Sequence, residues 1–125
     1  MRKPLLAPVI VLAAIGFAAS VSISEAQVAP CPIYGKVKSK TSKTPVTVTF
    51  DNMSGEDRGV FWVDFKGEWV KYVDLKPGKR YTVDTYVTHP WIFTDTPGNC
   101  VEMFMPRKDI LTFNVTAESR GKGAR

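Results

Sequence analysis

The 125-residue chain contains only one histidine and two cysteines. A structural zinc site needs four ligands, drawn mainly from these residue types, so we predict no metal site. The sequence also lacks a Walker loop, a GxGxxG segment and an HExxH segment, and no serine lies in a nucleophile elbow. Because no catalytic pattern has support in the residues, we predict that the protein is not an enzyme and carries no cofactor.

A helical period is also missing beyond residue 26. The chain instead alternates with a period of two, as where Val46, Val48 and Phe50 are interleaved with polar residues. The alternation and the turn residues between runs predict strands at 46–51, 60–65, 68–75, 80–87, 91–94, 101–105 and 110–115. Seven short strands at this spacing predict an all-β fold, a seven-stranded antiparallel β-sandwich.

The N-terminal segment has the pattern of a secretory signal peptide. Arg2 and Lys3 precede an apolar stretch at 5–19, and residues 24–26 place small residues at the positions that signal peptidase recognises. The apolar stretch is short for a membrane anchor. We therefore predict a signal peptide over residues 1–26, a secreted or periplasmic mature protein, and no stable membrane insertion after cleavage. An uncleaved N-terminal anchor is the alternative.

Both cysteines, Cys31 and Cys100, lie beyond the predicted cleavage site. An even pair in an exported chain predicts one disulfide. In the chain-entropy account, such a long loop stabilises the fold by roughly 3–4 kcal/mol. Two free thiols are the alternative, which an oxidising compartment disfavours.

Four lysines lie close together at 36–43, just before the predicted sandwich, in a chain with a formal net charge of +5. We predict a basic flexible leader at 27–45, the β-sandwich domain at 46–116 and a fraying basic tail at 117–125. A surface that meets anionic partners is the alternative for the leader. The aromatic residues occupy alternating strand positions, where core packing explains them, so we predict no nucleic-acid partner.

Three short segments and one tyrosine share a distinctive order within the predicted sandwich. They are FWVDFKGE at 61–68, Tyr72, LKPG at 75–78 and TYVTHPWIF at 85–93. This ordered set resembles the β-domain of the von Hippel–Lindau tumour suppressor, over a stretch from residue 46 to about residue 115. The resemblance implies a β-sandwich that recognises 4-hydroxyproline in an extended peptide.

The resemblance also implies five site residues. Trp62 and Trp91 fall on the two tryptophan walls of the family pocket, and Tyr72 falls on the tyrosine that also bonds the peptide backbone. Thr85 and His89 fall on the serine and the histidine that hydrogen-bond the hydroxyl of hydroxyproline. These residue types suit that ligand, because a proline ring packs on aromatic faces and a hydroxyl can pair with threonine or neutral histidine.

The sequence departs from the family pattern at three positions around this site. Thr85 keeps the hydroxyl of the family serine and adds a methyl group, whereas Asp84 replaces a second family histidine at the edge of the pocket. Pro90 is also new and restricts the backbone between the predicted histidine and tryptophan. These changes leave the peptide selectivity open.

Two functions follow as hypotheses. The first is an exported binding module for an extended proline- or hydroxyproline-containing peptide. The alternative is a structural or interaction domain of the cell envelope that has lost the peptide, with the same five residues serving as core. The chain ends about ten residues after the last predicted strand, where the family adaptor has a helical domain. Together with the signal peptide, this leads us to expect no ubiquitin-ligase subunits as partners.

Overall fold

The computed structural model describes residues 2, 4, 16, 31 and 35–120. Within them lie no helices and seven strands: β1 Pro45–Asn52, β2 Arg58–Val63, β3 Trp69–Leu75, β4 Arg80–Tyr86, β5 Trp91–Thr94, β6 Cys100–Phe104 and β7 Thr112–Val115. Every predicted strand is present, with its ends shifted by at most two residues. No helix in this described part could cross a membrane. The predicted signal peptide lies almost wholly outside the described residues.

The strands form two sheets, one of three strands in the order β4-β1-β7 and one of four in the order β3-β2-β5-β6. All pairings are antiparallel except that of β1 with β7, which is parallel. An entirely antiparallel sandwich was therefore wrong at this one pair. The chain crosses from the four-stranded sheet to the other one between β6 and β7, and such a crossover can deliver a strand in either direction, unlike a hairpin.

The main core lies between the two sheets. Alternate residues of β1 point inward, so Val48 and Phe50 are fully buried there. Phe50 contacts the rings of Trp91, Phe93 and Phe104, with centroids 5.0 to 6.0 Å away. These aromatic contacts explain why a domain of modest size can bury a continuous core.

A second apolar cluster covers the outer face of the four-stranded sheet. Its buried members are Val63, Ile92, Cys100 and Met103, and Phe61, Trp69, Val37 and Cys31 pack against them. The cluster exists because β2 and β5 carry apolar residues on both faces. The segment before β1 supplies its cover.

Residues 35–40, here called the strap, run across the β2–β3 hairpin. We expected a solvated leader in this region, but Ser39 is only 3% exposed and its N–H donates to the Asp64 carbonyl over 3.0 Å. The hairpin turn accommodates the strap because Gly67 adopts φ +86° and has no side chain; a Cβ there would lie 3.2 Å from Cα of Gly35. The described part of the leader is therefore packed against the sandwich.

The disulfide joins Cys31 to Cys100 as predicted, with the two Cα atoms 5.9 Å apart. It links the segment before the strap to the first residue of β6. The loop that it closes spans a sequence separation of 69 residues, which includes the strap and the first five strands.

The start of the predicted basic tail is also bound to the sandwich. The buried carboxylate of Glu102 accepts hydrogen bonds from the N–H groups of Thr116 and Ala117, over 3.1 and 2.8 Å. Arg58 donates to the carbonyl of Ala117 and to Ser119. Burial raises the pKa of Glu102, because it disfavours the charged form. Residues up to 120 therefore lie against the domain, and the rest of the predicted tail is outside the described residues.

Candidate functional site

A cavity of about 310 Å³ opens between the edge strands of the two sheets, β3 and β4. We call it the cleft, and eight residues line it: Trp62, Phe65, Tyr72, Asp84, Thr85, Tyr86, His89 and Trp91. The structure thus brings together all five residues predicted as the site. Their role in binding a peptide is not tested by this arrangement and stays a prediction.

Strand pairing places the aromatic walls. Trp62 and Trp91 lie directly opposite each other on β2 and β5, so both side chains share one face of the sheet. Tyr72 reaches the same cavity through a β-bulge, because Val60 pairs with Val73 and Phe61 with Lys71, which leaves Tyr72 without a partner in the register. A bulge redirects a side chain, and here the tyrosine ring contacts Trp91 edge-on, with centroids 4.8 Å apart.

The floor of the cleft is apolar but carries one oriented hydroxyl. Trp91 is 1% exposed, and its ring contacts Phe50 of the main core. Its indole Nε1–H donates to Oγ1 of Thr85 over 3.1 Å. Because this bond occupies one lone pair of a buried threonine hydroxyl, the hydroxyl hydrogen remains available to donate.

The rim of the cleft is aromatic and exposed. Tyr72 is 44% exposed, and Phe65 and Tyr86 are exposed to a similar degree. Phe65 belongs to the β2–β3 turn, whereas Tyr86 ends β4. A group of exposed rings around a concave floor is typical of an interaction surface rather than of a monomer's ordinary exterior.

His89 lies among these rings and is 8% exposed. Its imidazole centroid is 5.2 Å from the rings of Phe65 and Tyr86 and 5.8 Å from that of Trp62. Burial lowers the pKa of His89, and a hydrogen bond with the Lys40 backbone opposes this shift only in part. The ring is therefore neutral near pH 7, with one nitrogen as a donor and the other as an acceptor.

A strained turn presents this histidine. Thr88 has a φ of +79°, which is uncommon for a β-branched residue. The turn is held by a bond from the His89 N–H to the Tyr86 carbonyl, and by one from Thr88 Oγ1 to the Lys40 carbonyl over 2.9 Å. Strain of this kind persists where the surroundings fix it, and it is frequent at binding sites.

A second cavity, of about 300 Å³, lies near the start of β2 and the end of β5. Charged residues dominate its lining, and they pair with one another: Lys71 with Asp74 over 2.8 Å, and Lys76 with Asp57 over 2.7 Å. We call it the charged cavity. Neither cavity resembles a metal site, since no group of three or more potential ligands occurs among the described residues.

Comparison with protein families identifies the fold family of this chain. The family model of the VHL beta domain matches residues 37–110, which is 74 of the 125 residues. The chain belongs to the VHL β-domain family. The VHL match begins within the strap and includes all eight residues of the cleft. Membership in this family indicates a protein-binding module, since the VHL β-domain is a recognition domain and not a known enzyme fold.

Some residues of the site were not found from the sequence. Phe65 and Tyr86 occur within the segments that carried the resemblance, but nothing in the local pattern distinguished an exposed rim ring from a core ring. Ser39 and Lys40 lie in the segment expected to be solvated, and their contacts with the cleft depend on chain packing over long sequence distances. Only the VHL match, which starts at residue 37, points to that segment.

Proposed function

We propose that this VHL-family domain binds an extended peptide segment by enclosing one proline or hydroxyproline ring in the cleft. The observation that carries the proposal is a buried polar pair, Thr85 and His89, at the base of an exposed aromatic rim. Trp62, Tyr72 and Trp91 supply faces and edges on which an apolar ring can pack. A volume of about 310 Å³ is at the small end for ligand sites, which suits a single side chain.

The hydrogen-bond directions favour a ligand that carries a hydroxyl. Thr85 accepts from Trp91 and so keeps its own hydrogen to donate. Burial lowers the pKa of His89, so its ring is neutral near pH 7 and one of its nitrogens can accept. A ligand hydroxyl could accept from the threonine and donate to the histidine at the same time. Plain proline would offer no partner to the Thr85 hydroxyl hydrogen or to the accepting His89 nitrogen in this buried place, which costs binding free energy.

The peptide backbone has a surface to follow beside this pocket. Strand β4 pairs with β1 on one side only among the described strands. Its other edge presents backbone N–H and C=O groups next to the cleft, as an edge strand does. An extended segment could therefore bond along β4 while its proline ring enters the cleft.

We further propose that the protein acts outside the cytoplasm. The basic, apolar and small-residue segments of residues 1–26 support export, and the Cys31–Cys100 disulfide suits an oxidising compartment. Cell fractionation and N-terminal sequencing of the mature protein test this. A mature N-terminus at Gln27 is expected, and an unprocessed protein confined to the cytoplasm would contradict it.

The binding proposal is tested with an array of short peptides made in pairs that differ only by the 4-hydroxyl of one proline. We expect the oxidised protein to bind hydroxylated members at least about tenfold more tightly, as the loss of a buried hydrogen-bond partner predicts. The variant His89→Ala should lose this preference, whereas Asp74→Asn at the charged cavity should keep it. Binding of neither peptide in any pair would overturn the proposal, and so would equal binding of both.

The burial of Trp91 and Thr85 favours a second candidate, a structural domain of the cell envelope. Trp91 is packed into the main core, and its bond to Thr85 is internal. If the domain is only structural, neither member of any peptide pair binds, yet Trp91→Ala still destabilises the fold. The aromatic rim favours the binding candidate, because Tyr72 and Phe65 remain 44% and 51% exposed despite their ring contacts, and a purely structural role does not account for these exposed faces.

A further inference from the structure

We propose that the strap is the positioning element of the cleft, in which Ser39 fixes the Trp62 wall and the Lys40 backbone fixes the turn that carries His89. The inference rests on the proposed function for its consequence in binding. Its structural content concerns the free protein and can be tested without a peptide. Neither strap residue lines the cleft, so both would act through the residues that do.

Ser39 joins three groups at the back of the cleft. Its Oγ donates to the Val63 carbonyl over 2.6 Å and accepts from the indole Nε1–H of Trp62 over 2.9 Å. Its own N–H donates to the Asp64 carbonyl. The hydroxyl is thus bound to the end of β2 and holds the polar edge of the Trp62 ring in one direction. A half-buried ring without this bond would have more freedom to rotate.

The next residue supports the other side of the cleft. The Lys40 carbonyl accepts from Thr88 Oγ1 over 2.9 Å, and the Lys40 N–H donates to the Thr88 carbonyl over 3.4 Å. These two bonds hold Thr88 in its strained conformation, directly before His89 in the chain. The Trp62 wall and the turn that carries His89 are therefore supported by two consecutive residues, Ser39 and Lys40.

The chain is also attached to the domain at residues that precede Ser39 and Lys40. Cys31 is linked to Cys100 by the disulfide, and Val37 packs on the outer apolar cluster. Where the strap crosses the hairpin, the Val37 carbonyl lies 3.3 Å from where a Cβ of Gly67 would be. With covalent and apolar attachments on one side and the bonds of Ser39 and Lys40 on the other, a displacement of the strap would alter Trp62 and His89 together.

The direct test compares Ser39→Ala with Ser54→Ala by NMR of the oxidised full-length protein. Ser54 is a matched control, because its hydroxyl also makes local hydrogen bonds but lies in the β1–β2 loop at the far end of the sandwich. The assigned indole N–H resonance of Trp62 should move in Ser39→Ala and stay in place in Ser54→Ala. An unmoved Trp62 resonance in Ser39→Ala would overturn the proposal.

Peptide binding gives the second readout. We expect Ser39→Ala to weaken binding of the hydroxylated peptide about fivefold, as the loss of one hydrogen bond predicts. In a Trp62→Phe background, which keeps an aromatic wall but lacks the indole N–H, Ser39→Ala should have little further effect. An equal loss in both backgrounds would show that Ser39 does not act through Trp62 and would overturn the proposal.

The two readouts separate the two proposals. If the wild-type protein binds neither peptide, the proposed function fails, while the Trp62 resonance still decides whether Ser39 positions that ring. If the wild-type protein discriminates the peptides but the resonance is unmoved, the proposed function stands and the positioning role fails. The hydroxyl-keeping variant Ser39→Thr should retain more of the peptide preference than Ser39→Ala, and equal losses in both would count against the hydrogen bond.

Discussion

The described part of the molecule carries two cavities of nearly equal volume, about 310 and 300 Å³, with different linings. The cleft is walled by aromatic rings around one neutral histidine and one threonine. The charged cavity is lined by lysines and aspartates that pair with one another on its surface. The cavity volumes therefore do not identify the candidate site, whereas the chemical type and the pairing of the lining residues do.

The two cavities differ in which lining groups a ligand could still contact favourably. At the charged cavity Lys71 and Lys76 already have carboxylate partners, and such exposed pairs gain little from a further ligand. At the cleft the exposed faces of Phe65, Tyr72 and Tyr86 remain in water, and burying them under a partner is favourable. The hydrophobic effect and two buried polar groups thus favour the cleft as the binding surface.

The largest effect is expected from Trp91, which belongs both to the cleft and to the main core. Trp91→Ala should lower the free energy of unfolding by about 3–5 kcal/mol, because a large buried ring is lost and a cavity remains. Urea denaturation measures this, with Trp69→Ala as control, since Trp69 is only partly buried on the outer face. Equal losses of unfolding free energy in the two variants would contradict the placement of the cleft floor in the core.

The disulfide is expected to have the next largest effect. The double variant Cys31→Ser, Cys100→Ser should lose about 4 kcal/mol of stability, because the unfolded chain gains entropy when the cross-link is absent. It should also weaken peptide binding under conditions where it remains folded, because the covalent attachment behind the strap is gone. Denaturation and binding of the wild-type protein with and without a reductant measure both effects. Unchanged peptide binding by a folded, reduced protein would contradict the role of the strap in positioning the cleft.

A smaller effect is expected from pH and His89. Burial lowers the pKa of His89 below its ordinary value of 6.5, so the unfolded chain takes up the proton first as the pH falls. The stability contributed by the neutral ring is therefore present above about pH 6.5 and is lost as the pH falls towards the folded-state pKa. The stability difference between the wild-type protein and His89→Gln should shrink between about pH 7.5 and about pH 5. A constant difference would show that the ring is not buried as described.

The smallest effect is expected at the charged cavity. Lys71→Ala removes one partner of an exposed ion pair with Asp74, and stability should change by no more than about 0.5 kcal/mol. The peptide preference should not change at all. Denaturation and the peptide pairs measure this, and a loss of binding comparable to that of His89→Ala would reverse the comparison between the two cavities.

Much of this structure could be predicted from the sequence, because period-two alternation is local. Val48 and Phe50 lie in the core as the pattern of β1 indicated. The pairing of β1 with β7, in contrast, joins residues such as Phe50 and Phe113 that are far apart in the chain, and alternation alone says nothing about strand direction. The Tyr72 bulge was hidden for the same reason, since it depends on the register with β2.

The five site residues were predicted from the resemblance to the family, whereas the residues that support the cleft were not. Trp62, Thr85 and His89 were expected at the site from the family resemblance, and the structure places them around one cavity. Ser39 and Lys40 could not be expected there, because a lysine-rich stretch before the first strand has the composition of a solvated segment. Their hydrogen bonds to Trp62 and Thr88 depend on how the chain crosses the hairpin.

The three tryptophans provide the most direct test of the central claim, that the cleft takes a proline ring. Trp62 and Trp91 line the cleft, whereas Trp69 contacts Phe61 on the outer face. When a hydroxyproline peptide from the array is added to the oxidised protein, NMR should show the indole N–H signals of Trp62 and Trp91 moving and that of Trp69 staying in place. The proline twin should produce the same pattern only at higher concentration. A peptide that binds while the Trp62 and Trp91 signals stay in place would contradict the account.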